Sequence, residues 1–140
     1  MITDIAFFVH EKFQELYREK NNGIRIKTTT DKKWIKKYGT DQANIAKLTY
    51  FEMPSEWRKS RWFGSKAALD ALLDAIKAGK SLDKKFIECV SDIVHEEWLN
   101  RNRKNAEEEY KFSYKNLSED AKEKDRIFVH AAMEIFKSKK

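Results

Sequence analysis

A single proline and four glycines in 140 residues leave this chain few places to turn. These residues are the strongest local breakers of regular structure, so their scarcity favours long helices over a fold of many short strands. Four stretches carry apolar residues at helical spacing. The first runs from about Thr3 to Lys20, with Ile5, Phe8, Val9, Phe13, Leu16 and Tyr17 on one face and Asn21-Asn22-Gly23 as its stop. The second follows Pro54, with Ser55 as N-cap, Ala67, Ala68, Ala71, Leu72 and Ile76 as its stripe, and Ala78-Gly79 as its end. The third takes Ser81 as N-cap and turns Phe86, Ile87, Val90, Ile93, Val94 and Trp98 toward the core, with Cys89 expected to be buried. The fourth starts at Ser118, faces Phe128, Ala131, Ala132, Ile135 and Phe136 inward, and ends near Phe136 before a solvated Lys-Ser-Lys-Lys tail.

The connection between the first two helices, residues 21–54, is long for a compact domain and should hold structure of its own or a site. Ile24 to Thr29 alternates and is β-branched, which predicts a short strand. Lys32 to Tyr38 predicts a helical turn displaying Trp34 and Tyr38. The gap between the third and fourth helices, about Asn105 to Leu117, is much shorter.

The two halves of the chain repeat one pattern. Val9-His10-Glu11-Lys12-Phe13 matches Val94-His95-Glu96-Glu97-Trp98. Tyr50 to Glu56 matches Tyr114 to Asp120, and from there the match continues without a gap, Ala67-Ala68 falling on Ala131-Ala132. The two matched blocks stand further apart in the first half than in the second, and the excess is the insert. Each half is a helix pair too small to bury a core alone, so the expected architecture is mainly α. Residues 1–80 and 81–140 are duplicated helix-pair units joined in one four-helix core, with a short β or irregular insert at about 21–54 in the first half.

Composition narrows the function classes. No apolar run approaches the roughly 20 residues of a membrane span, and the N-terminus lacks the basic and small-residue signals of a secretory leader, so no membrane partner is expected. The lone Cys89 excludes an internal disulfide framework and suits a cytoplasmic location. Three dispersed histidines with one cysteine argue against a structural zinc site, and no cofactor is expected. The net charge of +6 admits an anionic partner, although both signs are plentiful and the tail supplies three of the positive charges.

The second copy resembles the ryanodine receptor repeat, or RyR domain. A helix in that family carries His-x-x-Trp followed by basic residues, then a variable loop, a Tyr-x-x-Leu turn and a Lys/Arg-bearing stretch that opens the next helix. Here His95-Glu96-Glu97-Trp98 is followed by Arg101 and Arg103, and Tyr114-Lys115-Asn116-Leu117 by Lys122, Lys124 and Arg126. The likeness covers Phe86 to Phe136, and the first half is a divergent copy with Phe13 and Met53 at the Trp and Leu positions. The chain also looks like small bacteriophage proteins that carry Tyr-x-x-Leu-Pro-x-x-Trp, which Tyr50 to Trp57 fits with Met53 as the variant. The resemblance implies nucleotide recognition rather than chemistry. A stand-alone phage copy would act as an anti-defence sponge, sequestering a nucleotide-derived immune signal (adenine-containing, cyclic or of the ADP-ribose type), as a homodimer or higher homo-oligomer.

Each candidate residue admits a functional and a structural reading. Trp98 is a base-stacking wall or core packing. Arg101 and Arg103 hold phosphate through their planar forks or complement a helix C-terminus. His95, like His10, contacts ligand or bonds a backbone carbonyl. Tyr114, like Tyr50, lines a site or packs over a helix start. Arg58, Arg61, Lys122 and Arg126 lie one or two turns into helices whose N-termini favour anions, or are solvated. Trp34, Tyr38, Trp57 and Trp62, interleaved with Lys32, Lys33, Lys36, Lys37, Arg58 and Arg61, bind nucleic acid or a nucleotide, or build a small core. The Glu107-Glu108-Glu109 run is read as solvated. Two further function classes remain: a nucleic-acid-binding accessory protein, and an adaptor for a host protein. A nucleotide-cleaving enzyme using Glu11, Glu96 and Glu97 is disfavoured, because no Ser or Cys nucleophile has a recognisable context and no paired histidines or metal cluster shows.

Overall fold

A computed structural model describes residues 1–104 and 106–139. In chain order these form α1 (Ile2–Asn21), β1 (Ile26–Thr28), α2 (Lys32–Tyr38), β2 (Gln42–Asn44), α3 (Ser55–Lys77), α4 (Lys84–Asn102) and α5 (Glu119–Ser138). Short 3-10 turns lie at Tyr50–Glu52, Glu108–Tyr110 and Tyr114–Asn116. Asn105, where the expected second connection begins, and Lys140 of the tail lie outside the described residues.

The fold is mainly helical around a four-helix core, with the small antiparallel hairpin in the insert. α1 ends where Asn22 (φ 55°) and Gly23 (φ 72°) turn left-handed and both send their N–H groups back to the Tyr17 carbonyl. The hairpin pairs Ile26 with Asn44, Lys27 with Ala43 and Thr28 with Gln42, and α2 fills its connection. Ala43, Ile45 and Ala46 continue from it into the main core. One carboxylate joins two helix starts and ties the insert to the bundle. Asp31 accepts from Trp34 N (3.2 Å), capping α2, and from Ser55 N (2.9 Å), the first residue of α3. Glu56 of α3 answers by accepting from Thr29 and Thr30.

α1 packs on α3 and α5, and α4 packs on α3 and α5. The two equivalent helices, α3 and α5, cross at the centre, where Gly64 meets Phe128. An added Cβ at Gly64 would lie 2.5–2.9 Å from three atoms of the Phe128 ring. With Tyr50 set on Tyr114, Gly64 falls on Phe128, so the repeat meets itself at this crossing. Two large side chains would collide there and two glycines would leave a void, and the chain uses one of each.

Several local expectations shift. Asp83, not Ser81, caps α4, accepting from Phe86 N at 3.0 Å. Pro54 occupies the cap position of α3, and Ser55 is its first helical residue. The strand covers Ile26–Thr28, shorter than read, with Ile24 outside it and exposed. Cys89 and Ile93 face solvent, because α4 buries the side that carries Phe86, Val90, Ser91, Val94, His95 and Leu99. Trp34 is buried, and only Tyr38 of the pair is displayed.

Candidate functional site

The repeat seen in the sequence is carried into side-chain geometry. His10 Nε2 donates to the Leu48 carbonyl and His95 Nε2 to the Phe112 carbonyl, both at 2.7 Å. Leu48 and Phe112 each stand two places before the tyrosine that opens a 3-10 turn. In both halves a buried histidine on the first helix therefore clamps the segment that leads into the second. This is the structural role foreseen for these histidines, and it occupies one ring nitrogen of each.

The two histidines feel opposite charges in the two halves. His95 Nδ1 lies 3.2 Å from the Asp125 carboxylate. Burial opposes a charge on His95, but the Asp125 bond and charge outweigh it and raise its pKa above the ordinary value. Burial likewise raises Asp125, against the pull of His95. In the first half, the position equivalent to Asp125 is held by Arg61. Burial and then the Arg61 charge push the His10 pKa down to about 4. Arg61 is 7% exposed, stacks 4.1 Å over the Phe13 ring and donates to Tyr17 Oη at 3.4 Å. No carboxylate pairs with it among the described residues, and its Nε and His10 Nδ1 are both buried without hydrogen-bond partners.

On the surface, the seam between α3 and α4 joins one predicted residue from each half. Phe63, 39% exposed, meets Trp62 edge-on at 5.3 Å and carries the Arg101 guanidinium 5.3 Å from its ring centre. Two bonds to the Glu97 carboxylate, 2.5 and 2.9 Å, hold Arg101 in that pose. One turn back along α4, half-buried Trp98 stacks on His95 and takes Tyr110 edge-on, and Lys124 donates to Tyr110 Oη at 2.6 Å. Arg103 is exposed and makes no ion pair among the described residues.

The remaining predicted residues stand in three other places. Arg126 binds both Glu88 oxygens at 2.7 Å and also pairs with Glu119 and Glu123, which raises its pKa and lowers that of Glu88. Tyr114 donates to Glu88 at 3.0 Å, and burial followed by that bond pushes its pKa up to about 12. Lys122 pairs with Glu119 at 3.7 Å and sits over the Tyr114 ring. Three carboxylates thus already surround Arg126. Arg58 donates to the Met53 carbonyl at the start of α3. In the insert, Trp34 donates Nε1–H to the Glu52 carbonyl at 2.8 Å and stacks on Tyr38 at 4.5 Å.

Two open depressions lie elsewhere. One, about 570 Å³, is lined by residues that include Gln14, Arg18, Gly23 and Lys47. The other, about 300 Å³, lies beside Phe7, Phe8 and Ile135. Neither is lined by a residue expected to bind ligand, and the second includes Glu11, one of the carboxylates considered for cleavage. Among the described residues, no group of three or more His, Cys, Asp and Glu side chains is arranged to hold a metal ion. Sequence reasoning missed Phe63, Glu88 and Asp125, and it named Glu97 only as a candidate catalytic carboxylate. For Asp125 a signal existed: the repeat sets it against Arg61, a charge reversal between equivalent positions. No family model matches the chain, and no curated protein or solved structure shows significant similarity to it.

Proposed function

We propose that this chain binds a nucleotide-derived ligand at the α3–α4 seam without turning it over, and acts by sequestration. That is the role the RyR resemblance implies for a phage anti-defence sponge. The observation that carries the reading is the Trp62–Phe63–Arg101 cluster: an exposed ring for a base, an aromatic edge beside it, and a guanidinium already oriented by Glu97. Stacking on an aromatic contributes roughly 1–3 kcal/mol per base, and an Arg fork adds directed bonds to phosphate. The histidines support binding over catalysis. Both are buried, and both commit Nε2 to a backbone carbonyl.

Thermal unfolding against a panel of adenine mononucleotides, ADP-ribose, its cyclic isomers and cyclic di- and trinucleotides tests the proposal. A ligand at 100 times its Kd stabilises the fold by roughly 2.7 kcal/mol, a shift of several degrees. Phe63→Ala with Arg101→Ala should abolish that shift and leave the ligand-free Tm nearly unchanged, since both side chains sit at the surface. A flat panel, or a shift that survives both substitutions, refutes the seam as a nucleotide site.

A further inference from the structure

The insert is more elaborate than its structural task requires. The second half makes the same histidine-to-carbonyl clamp across a much shorter connection, from His95 to Phe112 rather than from His10 to Leu48. What the insert adds is charge. Residues 21–54 hold seven Lys and Arg against three Asp and Glu. The first half as a whole holds 16 against 10, while residues 81–140 hold 13 against 13, so the entire surplus of +6 belongs to the first half.

Within the insert the charge is gathered by α2. Lys32, Lys33, Lys36 and Lys37 fall within about 140° of the helix circumference at roughly 100° per residue, and Trp34, Ile35 and Tyr38 occupy the rest. The apolar side is engaged: Trp34 is buried and bonded to Glu52, and Ile35 packs against the core. All four lysines are exposed, and none makes an ion pair among the described residues. Two acids of the insert are occupied by backbone, Asp31 by the N–H groups of Trp34 and Ser55, and Glu52 by that of Thr49, although Glu52 also feels the Lys37 charge. With α2 held by Trp34 on one side and Asp31 at its start, the lysines are presented from a fixed platform.

We propose that the lysine face of α2 is a contact surface for the phosphate backbone of nucleic acid. Lys32 to Lys37 rise about 7.5 Å along the helix, a span that faces about two successive phosphates of one strand. Four exposed ammonium groups, that of Lys37 lying 5.4 Å from the Tyr38 ring centre, neutralise such a strand without reading its sequence. A nucleic acid fits this face better than an anionic membrane does, because the apolar side that would enter a bilayer is turned into the fold. This surface stands independently of the seam.

The test is fluorescence anisotropy of the full chain with labelled oligothymidylate and with a mixed-sequence duplex, between about 50 and 200 mM salt. The combined variant Lys32→Ala, Lys33→Ala, Lys36→Ala and Lys37→Ala should lose roughly tenfold or more in affinity. It should also flatten the log–log salt slope by about 1.5, the value for two phosphates at 0.7–0.9 each. Alanine preserves the helix, and unchanged Trp fluorescence and Tm verify the fold. The charge-matched variant Lys77→Ala, Lys80→Ala, Lys84→Ala and Lys85→Ala, at the α3–α4 turn, should bind as the parent does. Equal loss in both variants, or no binding by the parent at the lowest salt, overturns the proposal. So does binding to phosphatidylserine vesicles in place of oligonucleotides. A nucleotide-induced thermal shift that persists in the α2 variant keeps the seam reading separate from this one.

Discussion

His10 and His95 make the same backbone bond yet respond to pH in opposite directions, because burial and then the Arg61 charge lower His10, whereas at His95 the Asp125 bond and charge outweigh burial. In the unfolded chain His10 titrates near 6.5, and in the fold near 4. Between those values the unfolded chain holds the extra proton, so the contribution is complete above 6.5 and lost as pH falls toward 4, a destabilisation of about 3 kcal/mol. His95 runs the other way. Its raised pKa contributes stability below the ordinary value, which is lost as pH rises through the folded value. Urea unfolding at about pH 7 and about pH 4.5 should show the acid loss in the parent. His10→Gln, which keeps a donor toward Leu48, should be much flatter, and identical slopes would remove His10 as the cause. Ring-proton NMR titration should place His10 well below His95, with Asp125→Asn lowering His95.

Helices α3 and α5 are held at one approach distance by Gly64 and Phe128. Helix propensity alone favours Gly64→Ala by up to about 1 kcal/mol. The Phe128 ring, 2.5 Å from the added Cβ, opposes it. Overpacking of this kind costs about 1–3 kcal/mol, so the substitution should destabilise despite its helical position. Phe128→Leu in the same chain should recover part of the loss. A higher urea midpoint for Gly64→Ala alone would show that the crossing has slack. At the other end of α3, Asp31 is one side chain serving two helix starts, and the Ser55 bond followed by the Trp34 bond holds its pKa below the usual carboxylate range. The insert is therefore an element fastened at defined points, and its lysines share that fixed placement.

At the level of the molecule, α1 of the first half rests on α5 of the second as well as on α3, and α4 of the second rests on α3 of the first. Each half therefore covers part of the other's apolar surface, α5 lying on both α1 and α3, and α4 on α3. The two fragments made independently should show no cooperative unfolding, and mixing them should restore helical signal and a transition. A sharp transition in either fragment by itself would mean that the halves are separate folding units. The charge division is also a property of the whole, with a neutral half supporting a half that carries all of the surplus.

The helices were legible because their apolar residues recur at helical spacing and because Asn22-Gly23, Pro54 and Ser118 mark their limits, all local physics written along the chain. The repeat was legible for the same reason, and with it the matching places of His10 and His95. What the sequence could not decide was which side of each residue would meet a neighbour. Ile93 and Cys89 lie on a helix whose apolar stripe is narrower than its apolar content, so burial was settled by where α3 and α5 pack. Trp34 was visible as an aromatic among lysines, but its place in the core and its bond to the distant Glu52 carbonyl needed the fold. Arg126 was legible as a cation, whereas its capture by Glu88, far back along the chain, needed α4 beside α5. Residue type and periodicity set the elements and the total charge. Tertiary contact decided which charges are neutralised, which rings are covered, and that Arg101, Phe63 and Trp62 share one surface, because those outcomes depend on distances across the fold.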